Sequence, residues 1–311
     1  MITLNYDDNS VKELSLNNSV RNMMRGGDRN ITPGGVILLP RVVTNDGKLD
    51  WDKFEKIVEA SVRYLDSLIT AYDLKHKRIM LGVSGLADLF INLKIRYGSR
   101  EAAILTLNIM TILQTKAYET SILLNKKLGS GNSEHISDHV LDLLPLAIKH
   151  NYEKFGIKHS SLIGLDVTDT SDDICSKGIS PILYKAYKTK DGVYYISSIF
   201  KMFLMRRLKD DWCVDVGDVD IEDYLNIYRI VKKYSDGIMV DYIPQEKLTN
   251  MDLKFYIREL GCIKILHTDK NIVRISEGEA LEYTVSTLME KIIRAEDLGC
   301  GGCDKKSRTI F

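Results

Sequence analysis

Residues 78–90 read RIMLGVSGLADLF and decide the fold. The apolar and β-branched side chains up to Val83 predict a buried strand, and Gly85 marks a tight turn. A helical pattern begins directly after it, at Leu86. A buried strand that turns through a glycine into a helix is typical of α/β proteins. We therefore expect an α/β fold with much parallel strand pairing.

The rest of the chain repeats this alternation of strands and helices. The clearest helix follows a capping Asp50, with apolar side chains three and four residues apart. We predict a core position for three aromatic residues at helical spacing, Tyr194, Tyr195 and Phe200. Strands are predicted at 35–43, 78–83, 161–167, 236–243 and 262–268. Helices are predicted at 51–72, 86–97, 100–127, 193–208, 221–234, 249–260 and 282–298.

Composition excludes several classes of protein. The 311 residues are 44% hydrophobic, which is enough to bury the core of one large domain or two small ones. Equal numbers of Lys+Arg and Asp+Glu, 43 each, provide no net positive field, so we expect no nucleic-acid partner. Polar residues interrupt the longest apolar stretch, 102–124, so we expect no membrane span. Five scattered cysteines and the lack of a leader pattern favour the reducing cytoplasm.

The segment at 78–90 resembles a signature of the ribonucleotide reductase large subunit, R-x-I-G-L-G-V-M-G-L-A-D, with Ser84 in the methionine position. The resemblance extends from about residue 17 to 303 and concerns the C-terminal part of that subunit. The other similar segments follow in the same order along the chain: 33–38 (PGGVIL), 50–73, 178–181 (GISP), 234–238 (YSDGI), 259–267 (beginning ELGC) and 300–303 (CGGC).

The resemblance implies half of a ten-stranded α/β barrel, because the five predicted strands correspond to the second half of that barrel. A half-barrel has open sheet edges, so we expect a partner chain or local cover over them. The implied division has three parts. They are an N-terminal segment with a degenerate radical-loop region at 1–30, the barrel half at 31–281, and a C-terminal helix with a flexible Cys-x-x-Cys tail at 282–311.

The resemblance also implies that the active site has lost its thiols. Asn17, Ser19 and Arg21 stand where the family has an N-x-C-x-E motif, so Ser19 replaces the radical cysteine and Arg21 replaces the carboxylate. A serine O–H bond is too strong for this radical chemistry, and a guanidinium stays protonated. Ile31 stands at a reducing cysteine, and no cysteine precedes Cys175. We therefore expect impaired catalysis.

The phosphate-binding turn of the family corresponds to four residues of this chain, Thr168, Thr170, Ser171 and Gly178. Three carboxylates lie within or just after it, Asp169, Asp172 and Asp173. Each would oppose a diphosphate by about 1 kcal/mol per close pair in water, and by more in a drier pocket. We therefore expect nucleoside diphosphates not to bind there. The alternative, in which Asp172 and Asp173 only face solvent or cap the next element, stays open.

The C-terminal dithiol, Cys300 and Cys303, resembles the shuttle that re-reduces the reductase active site. Three readings are open: an inherited tail without a function, a working shuttle, or half of a zinc site. No second Cys-x-x-Cys accompanies the pair, so we predict no metal site. The other cysteines, Cys175, Cys213 and Cys262, are predicted to be small core residues.

Three functions follow from these observations. In the first, a catalytically impaired reductase-like protein binds another reductase subunit or a companion N-terminal polypeptide. In the second, the chain is the C-terminal piece of an active split ribonucleoside-diphosphate reductase, which would need adenosylcobalamin or a radical-generating subunit. Leu266 and His267 stand where the latter class has a tyrosine pair. In the third, the dithiol makes the chain a thiol-redox protein. A cellular and a viral source are both open.

Overall fold

The computed structural model describes residues 2–3, 32–74, 77–128, 162–167, 178–182, 185–196, 200–201, 204–205, 212–235, 237–238, 243–244, 265–266 and 272–297. The chain divides into two compact units. Unit 1 comprises residues 1–183 and 211–267, and unit 2 comprises residues 184–210 and 268–311. The division predicted at residues 30 and 281 stays a prediction.

The described strands, in chain order, are β1 (Ile2–Thr3), β2 (Gly34–Leu38), β3 (Arg78–Ser84), β4 (Leu162–Val167), β5 (Ala186–Thr189), β6 (Tyr194–Ile196), β7 (Gly237–Ile238), β8 (Ile243–Pro244), β9 (Ile265–Leu266) and β10 (Ile272–Arg274). The described α-helices are α1 (Trp51–Ala71), α2 (Leu86–Asn92), α3 (Arg100–Leu128), α4 (Ile221–Tyr234) and α5 (Glu277–Asp297). A 3₁₀ helix, Leu39–Val42, follows β2 directly. The strand predicted to run to residue 43 therefore ends at Leu38.

Unit 1 contains a five-stranded parallel sheet in the order β1-β2-β3-β4-β7. Its neighbouring strands follow the chain order, with helices in the connections, which is the arrangement of an α/β barrel wall. A second pair of parallel strands, β8 and β9, also lies in this unit. Within the described residues the larger sheet is open, because β1 and β7 each pair with a single strand. The predicted α/β class and partial barrel are confirmed.

The helices of unit 1 form for local reasons and then pack through their apolar faces. Asp50 caps α1, since its Oδ1 accepts the backbone N–H of Lys53 at 2.9 Å. Helix α1 packs against β2, β3 and α3, and α3 packs in turn against α4. The predicted helices at 51–72, 100–127 and 221–234 are therefore confirmed. The buried face of α1 includes Phe54, Ile57, Val58, Val62, Leu65 and Ile69.

Helix α2 is shorter than the predicted 86–97. It begins after Gly85, which has a φ of 81°, and it ends at Asn92. Lys94 adopts a φ of 59° just beyond the end, and the N–H of Ile95 bonds back to the carbonyl of Phe90 at 2.8 Å. This closure satisfies a helix-end carbonyl and turns the chain, so the helix stops there.

Unit 2 contains an antiparallel sheet in the order β10-β5-β6 together with helix α5. The helix predicted at 193–208 is wrong at its start, because β6 occupies Tyr194–Ile196. The reason is a hairpin turn around Gly192, which has a φ of 80° and whose N–H bonds to the carbonyl of Thr189 at 3.0 Å. Tyr195 is 49% exposed, which contradicts its predicted core position, whereas Phe200 is buried.

Helix α5 confirms the helix predicted at 282–298 and begins earlier, at Glu277. The predicted helix at 249–260 lies outside the described residues. No helix in the described part of the chain is both long and apolar enough to cross a membrane.

Candidate functional site at the C-terminal edge of the sheet

The C-terminal ends of the parallel strands define one edge of the sheet in unit 1. Strands β2 and β3 end in register, with Leu38 opposite Ser84. The neighbouring strand β4 ends at Val167, and its Asp166 pairs with Gly82 and Gly237 on either side. Parallel α/β sheets bind their ligands beyond the carboxyl ends of the strands, because the loops that follow the strands converge there. The C-terminal edge is therefore the candidate site.

The predicted phosphate turn stays a prediction, and of its residues only Gly178 is described. The segment 168–177, which contains Thr168, Thr170 and Ser171, lies outside the described residues. It begins directly after Val167, at the end of β4, and it ends at Gly178, which is described. The described residues on either side of the segment, Val167 and Gly178, lie at the C-terminal edge.

Gly178 is tied to the turn between β3 and α2 through both of its backbone polar groups. Its N–H donates to the Oγ of Ser84 at 2.9 Å, and its carbonyl accepts the N–H of Leu86 at 3.2 Å. The Ser84 side chain is fully buried, and Gly178 has a φ of 50°, in the region that favours glycine. Two bonds to one short turn hold Gly178 at a defined position against the sheet.

Two backbone carbonyls that follow Gly178 also accept hydrogen bonds. We call residues Gly178–Ile182 the edge segment. The hydroxyl of Tyr97 donates to the carbonyl of Ile179 at 2.6 Å. The N–H of Val216 donates to the carbonyl of Ile182 at 2.7 Å. Every residue of the edge segment is buried, so these bonds are shielded from water. Buried hydrogen bonds therefore join the edge segment to the turn after β3, to Tyr97 and to Val216.

The hydroxyl of Tyr97 acts here as a hydrogen-bond donor. Its ring meets Phe90 edge-on, with centroids 5.6 Å apart, and stacks on Tyr224 at 6.4 Å. Burial raises the pKa of the Tyr97 phenol well above its ordinary value, and Tyr224 raises it further. The phenol therefore keeps its proton and its bond to Ile179.

An acidic turn packs beside the edge segment. Asp215 is buried, pairs with Ile182 in a parallel bridge, and accepts the N–H of Gly217 on its Oδ1 at 2.9 Å. Farther along, burial raises the pKa of Asp223, and the nearby Asp220 adds to that shift. The Oδ1 of Asp215 therefore accepts a hydrogen bond within its own turn.

The other predicted site residues lie outside the described part of the chain, namely Asn17, Ser19, Arg21, Ile31, Cys300 and Cys303. Their roles stay predictions. Cys213 is buried, as expected of a core residue, whereas Cys175 and Cys262 lie outside the described residues. Among the residues that the structure describes, no group of three His, Cys, Asp or Glu side chains could hold a metal ion.

The sequence patterns left two residues of this edge unassigned. Ser84 was visible only as a departure from a methionine, and Tyr97 carried no signal beyond its apolar surroundings. A serine at the end of an otherwise apolar strand does indicate a buried hydroxyl that needs a partner. The partner itself could not be predicted, because Gly178 lies 94 residues away in the chain.

Comparison with known proteins identifies relatives of this architecture. Residues 35–213 match the family model of the ribonucleotide reductase barrel domain. The chain is 35% identical to the vitamin B12-dependent ribonucleoside-diphosphate reductase of Mycobacterium tuberculosis over 106 residues, which are 31% of this chain and 15% of that protein. It is 24% identical to the ribonucleoside-diphosphate reductase subunit alpha of Chlamydia pneumoniae over 261 residues, which are 72% of this chain and 24% of that protein.

A solved structure has a similar fold. The class Id ribonucleotide reductase alpha subunit of Actinobacillus ureae superposes with a TM-score of 0.51 at 16% sequence identity, covering 75% of this chain and 48% of that one. This chain therefore spans less than half of the length of these relatives. The matched residues 35–213 include β2, β3, β4, the edge segment and the hairpin of β5 and β6.

Proposed function

Because this chain belongs to the ribonucleotide reductase barrel-domain family, we propose that it functions as the C-terminal barrel half of a large subunit, in association with a companion polypeptide. The observation that carries the proposal is the open parallel sheet, in which β1 and β7 each have one neighbour among the described strands. Unpaired strand edges expose backbone N–H and carbonyl groups that another chain can pair. The companion is a reductase subunit or a polypeptide that supplies the N-terminal half.

The proposed role of this chain in the complex is binding, with impaired catalysis. Ser19, Arg21 and Ile31 replace the radical cysteine, a carboxylate and a reducing cysteine of the resembled motifs. The first cysteine of the chain is Cys175. Hydroxyl, guanidinium and aliphatic side chains cannot form a thiyl radical or a disulfide, so radical reduction would require thiols from the companion.

The C-terminal edge is the proposed ligand-facing edge of the complex. The relatives act, by their names, on ribonucleoside diphosphates, and the segment 168–177 carries three hydroxyls at the positions of a phosphate turn, Thr168, Thr170 and Ser171. The carboxylates Asp169, Asp172 and Asp173 would repel a diphosphate there. We therefore propose that this chain alone does not bind ribonucleoside diphosphates there, because the negative charge opposes the hydrogen bonds that the hydroxyls could donate.

The test is association in solution. The purified chain is mixed with candidate reductase subunits and analysed by size-exclusion chromatography with light scattering. We expect a stoichiometric complex with one of them and no formation of deoxynucleotides by that complex. Failure to co-elute with any candidate contradicts the proposed association, provided that the protein concentrations exceed the dissociation constants usual for subunit complexes.

The same mixture tests the two other functions. Formation of deoxynucleotides would favour an active split enzyme, whose radical would come from adenosylcobalamin or a radical-generating subunit. The observation in favour of that candidate is the edge segment, in which Gly178, Ile179 and Ile182 each form a hydrogen bond. Reduction of insulin disulfides by the isolated chain, lost in Cys300→Ser, would instead favour a thiol-redox protein that uses Cys300 and Cys303.

A further inference from the structure

One side of helix α5 packs on the sheet of unit 2. The ring of Tyr283 stacks on the ring of Tyr194, with centroids 4.4 Å apart, and Glu279 accepts a hydrogen bond from Lys188 at 2.7 Å. Thr284, the residue after Tyr283, is buried. This side of the helix is therefore already occupied by contacts within its own unit.

A second side of α5 exposes apolar side chains. Val285, Leu288 and Met289 are 45%, 39% and 55% exposed, and Leu281, one turn before Val285, is half-buried. The outer face of a helix in a globular protein typically carries polar and charged side chains. Exposed apolar side chains that adjoin one another mark an interaction surface. We call Leu281, Val285, Leu288 and Met289 the α5 stripe.

The α5 stripe has the spacing of a coiled-coil seam. Leu281, Val285 and Leu288 are separated by four and then three residues, which is the heptad repeat of helices that wind around each other. The sequence continues the repeat at Ile292 and Ala295, within the bounds of the helix. Both leucines then occupy d positions, and the β-branched valine and isoleucine occupy a positions. Parallel two-stranded coiled coils favour this distribution.

We infer that the α5 stripe binds the α5 stripe of a second copy of this chain, as a parallel two-stranded coiled coil. Each a or d side chain of such a seam fits between four side chains of the facing helix, so a helix with the same repeat matches it. Pairing of one patch with itself closes the assembly at two copies. The inference does not depend on the proposed companion polypeptide, which was argued from the sheet of unit 1.

The charges beside the repeat are consistent with a parallel orientation. In the same register, Lys291 stands at a g position and Glu296 at the e position of the next heptad. Parallel pairing brings such g and e positions of the two helices together, and opposite charges there set the orientation. Glu277 and Glu282 stand at the preceding g and e positions and oppose each other. We therefore expect the pairing to be tighter toward the C-terminal end of the helix.

The oligomeric state of the full chain tests the inference. Size-exclusion chromatography with light scattering, over a range of concentrations, should give a dimer that dissociates on dilution. Leu288→Glu buries one charge from each copy in the seam and should raise the dissociation constant of the dimer about a hundredfold. The control is Val193→Glu, which adds the same charge at an exposed valine outside α5 and should leave the dimer unchanged. Circular dichroism should show that both variants fold.

Cysteine cross-linking tests the parallel orientation. In a parallel pair in register, the two copies of Leu288 face each other across the seam, whereas exposed Ser286 stands at a b position outside it. Leu288→Cys should therefore form a disulfide between two chains under mild oxidation, and Ser286→Cys should not. The unchanged chain, oxidised in the same way, gives the background from its own cysteines.

Three results would overturn the inference. The first is a monomer at the highest concentration measured. The second is a dimer that persists in Leu288→Glu at the natural affinity. The third is a monomeric chain whose binding to a companion polypeptide is abolished by Leu288→Glu, because the α5 stripe would then belong to that companion. Equal disulfide formation by Leu288→Cys and Ser286→Cys would overturn the parallel pairing.

Discussion

The described contacts inside unit 1 differ in kind from those inside unit 2. Unit 1 encloses a core of fully buried side chains, among them Phe54, Leu81 and Phe90, between a parallel sheet and its helices. The described contacts of unit 2 include stacked tyrosines and a partly exposed ion pair. It also exposes large apolar side chains, including Val193, Tyr195, Val285, Leu288 and Met289.

This difference indicates where the stability of the chain resides. Buried apolar area contributes the largest favourable free energy of folding, whereas exposed ion pairs contribute little. We expect unit 1 to respond strongly to changes in its core and unit 2 to respond mainly to pH and salt. Both tryptophans, Trp51 and Trp212, belong to unit 1, so tryptophan fluorescence reports the unfolding of that unit.

The largest effect should come from truncating a core ring in unit 1. Phe90→Ala leaves a cavity in α2, where Phe90 is fully buried, and should lower the free energy of unfolding by about 3–5 kcal/mol. Tyr195→Ala, at a half-exposed ring of unit 2, should leave the unit 1 transition unchanged. Urea denaturation followed by tryptophan fluorescence measures both. Equal effects of the two variants would break the contrast between the units.

A smaller effect, still large, is expected for Gly98→Ala. Gly98 has a φ of 85°, and an added Cβ would lie 2.8 Å from the Cγ of Asp223 on α4. The control is Gly47→Ala, because Gly47 has a similar φ of 75° but only the carbonyl of Asn92 nearby, at 3.7 Å. Both variants carry the strain of a left-handed alanine, about 1 kcal/mol. Gly98→Ala should cost about 1–3 kcal/mol more, from overpacking, in the same urea experiment, and similar costs would contradict the close contact.

Tyr97→Phe tests the tie across the C-terminal edge. The change leaves the carbonyl of Ile179 buried without the Tyr97 donor, which should lower the free energy of unfolding by about 1–3 kcal/mol. Amide exchange in the edge segment should accelerate more than exchange in α1. Tyr195→Phe, at a half-exposed phenol, is the control and should be near neutral. Unchanged amide exchange in the edge segment would show that the bond from Tyr97 does not stabilise it.

The smallest effect concerns the charged cluster of unit 2. Glu279 accepts hydrogen bonds from Lys188 at 2.7 Å and from Tyr194 at 3.0 Å. Both bonds lower the pKa of the Glu279 carboxyl, and the bond from Lys188 has the larger effect. A lowered folded pKa means that the cluster stabilises unit 2 above the ordinary carboxyl range and loses that contribution as pH falls through the folded pKa. The pKa of Lys188 is raised, so its contribution is lost at the alkaline end, as pH rises through the folded value.

Glu279→Gln should therefore weaken unit 2 at neutral pH and flatten the dependence of its stability on acid pH. Amide exchange in β5 and β6 measures the effect, and high salt should reduce it because the pair is exposed. Tryptophan fluorescence of unit 1 serves as the internal control and should not change. An acid response of β5 and β6 that persists in Glu279→Gln would assign it to another group.

Local patterns were sufficient for most helices and strands in the described part of unit 1. Turn and helix signals in residues 78–90 correctly predicted β3, the turn at Gly85 and the start of α2, since each depends on neighbouring residues. The prediction failed at β6, because it relied on aromatic residues at helical spacing and overlooked a hairpin turn. Asp191 and Gly192 form a typical hairpin turn between two β-prone runs, and that pair would have predicted β5 and β6.

The sequence by itself determined the periodicity of the helices, the turn after β3 and the resemblance to a family, because these depend on side chains close together in the chain. Only the tertiary structure decided that Ser84 accepts a hydrogen bond from the N–H of Gly178, 94 residues away. The same holds for the bond from the Tyr97 hydroxyl to the carbonyl of Ile179, 82 residues away. A hydroxyl has no preferred partner encoded in its own neighbourhood. Its partner is set by which strand ends the sheet brings to one edge, and that depends on the packing of the whole unit.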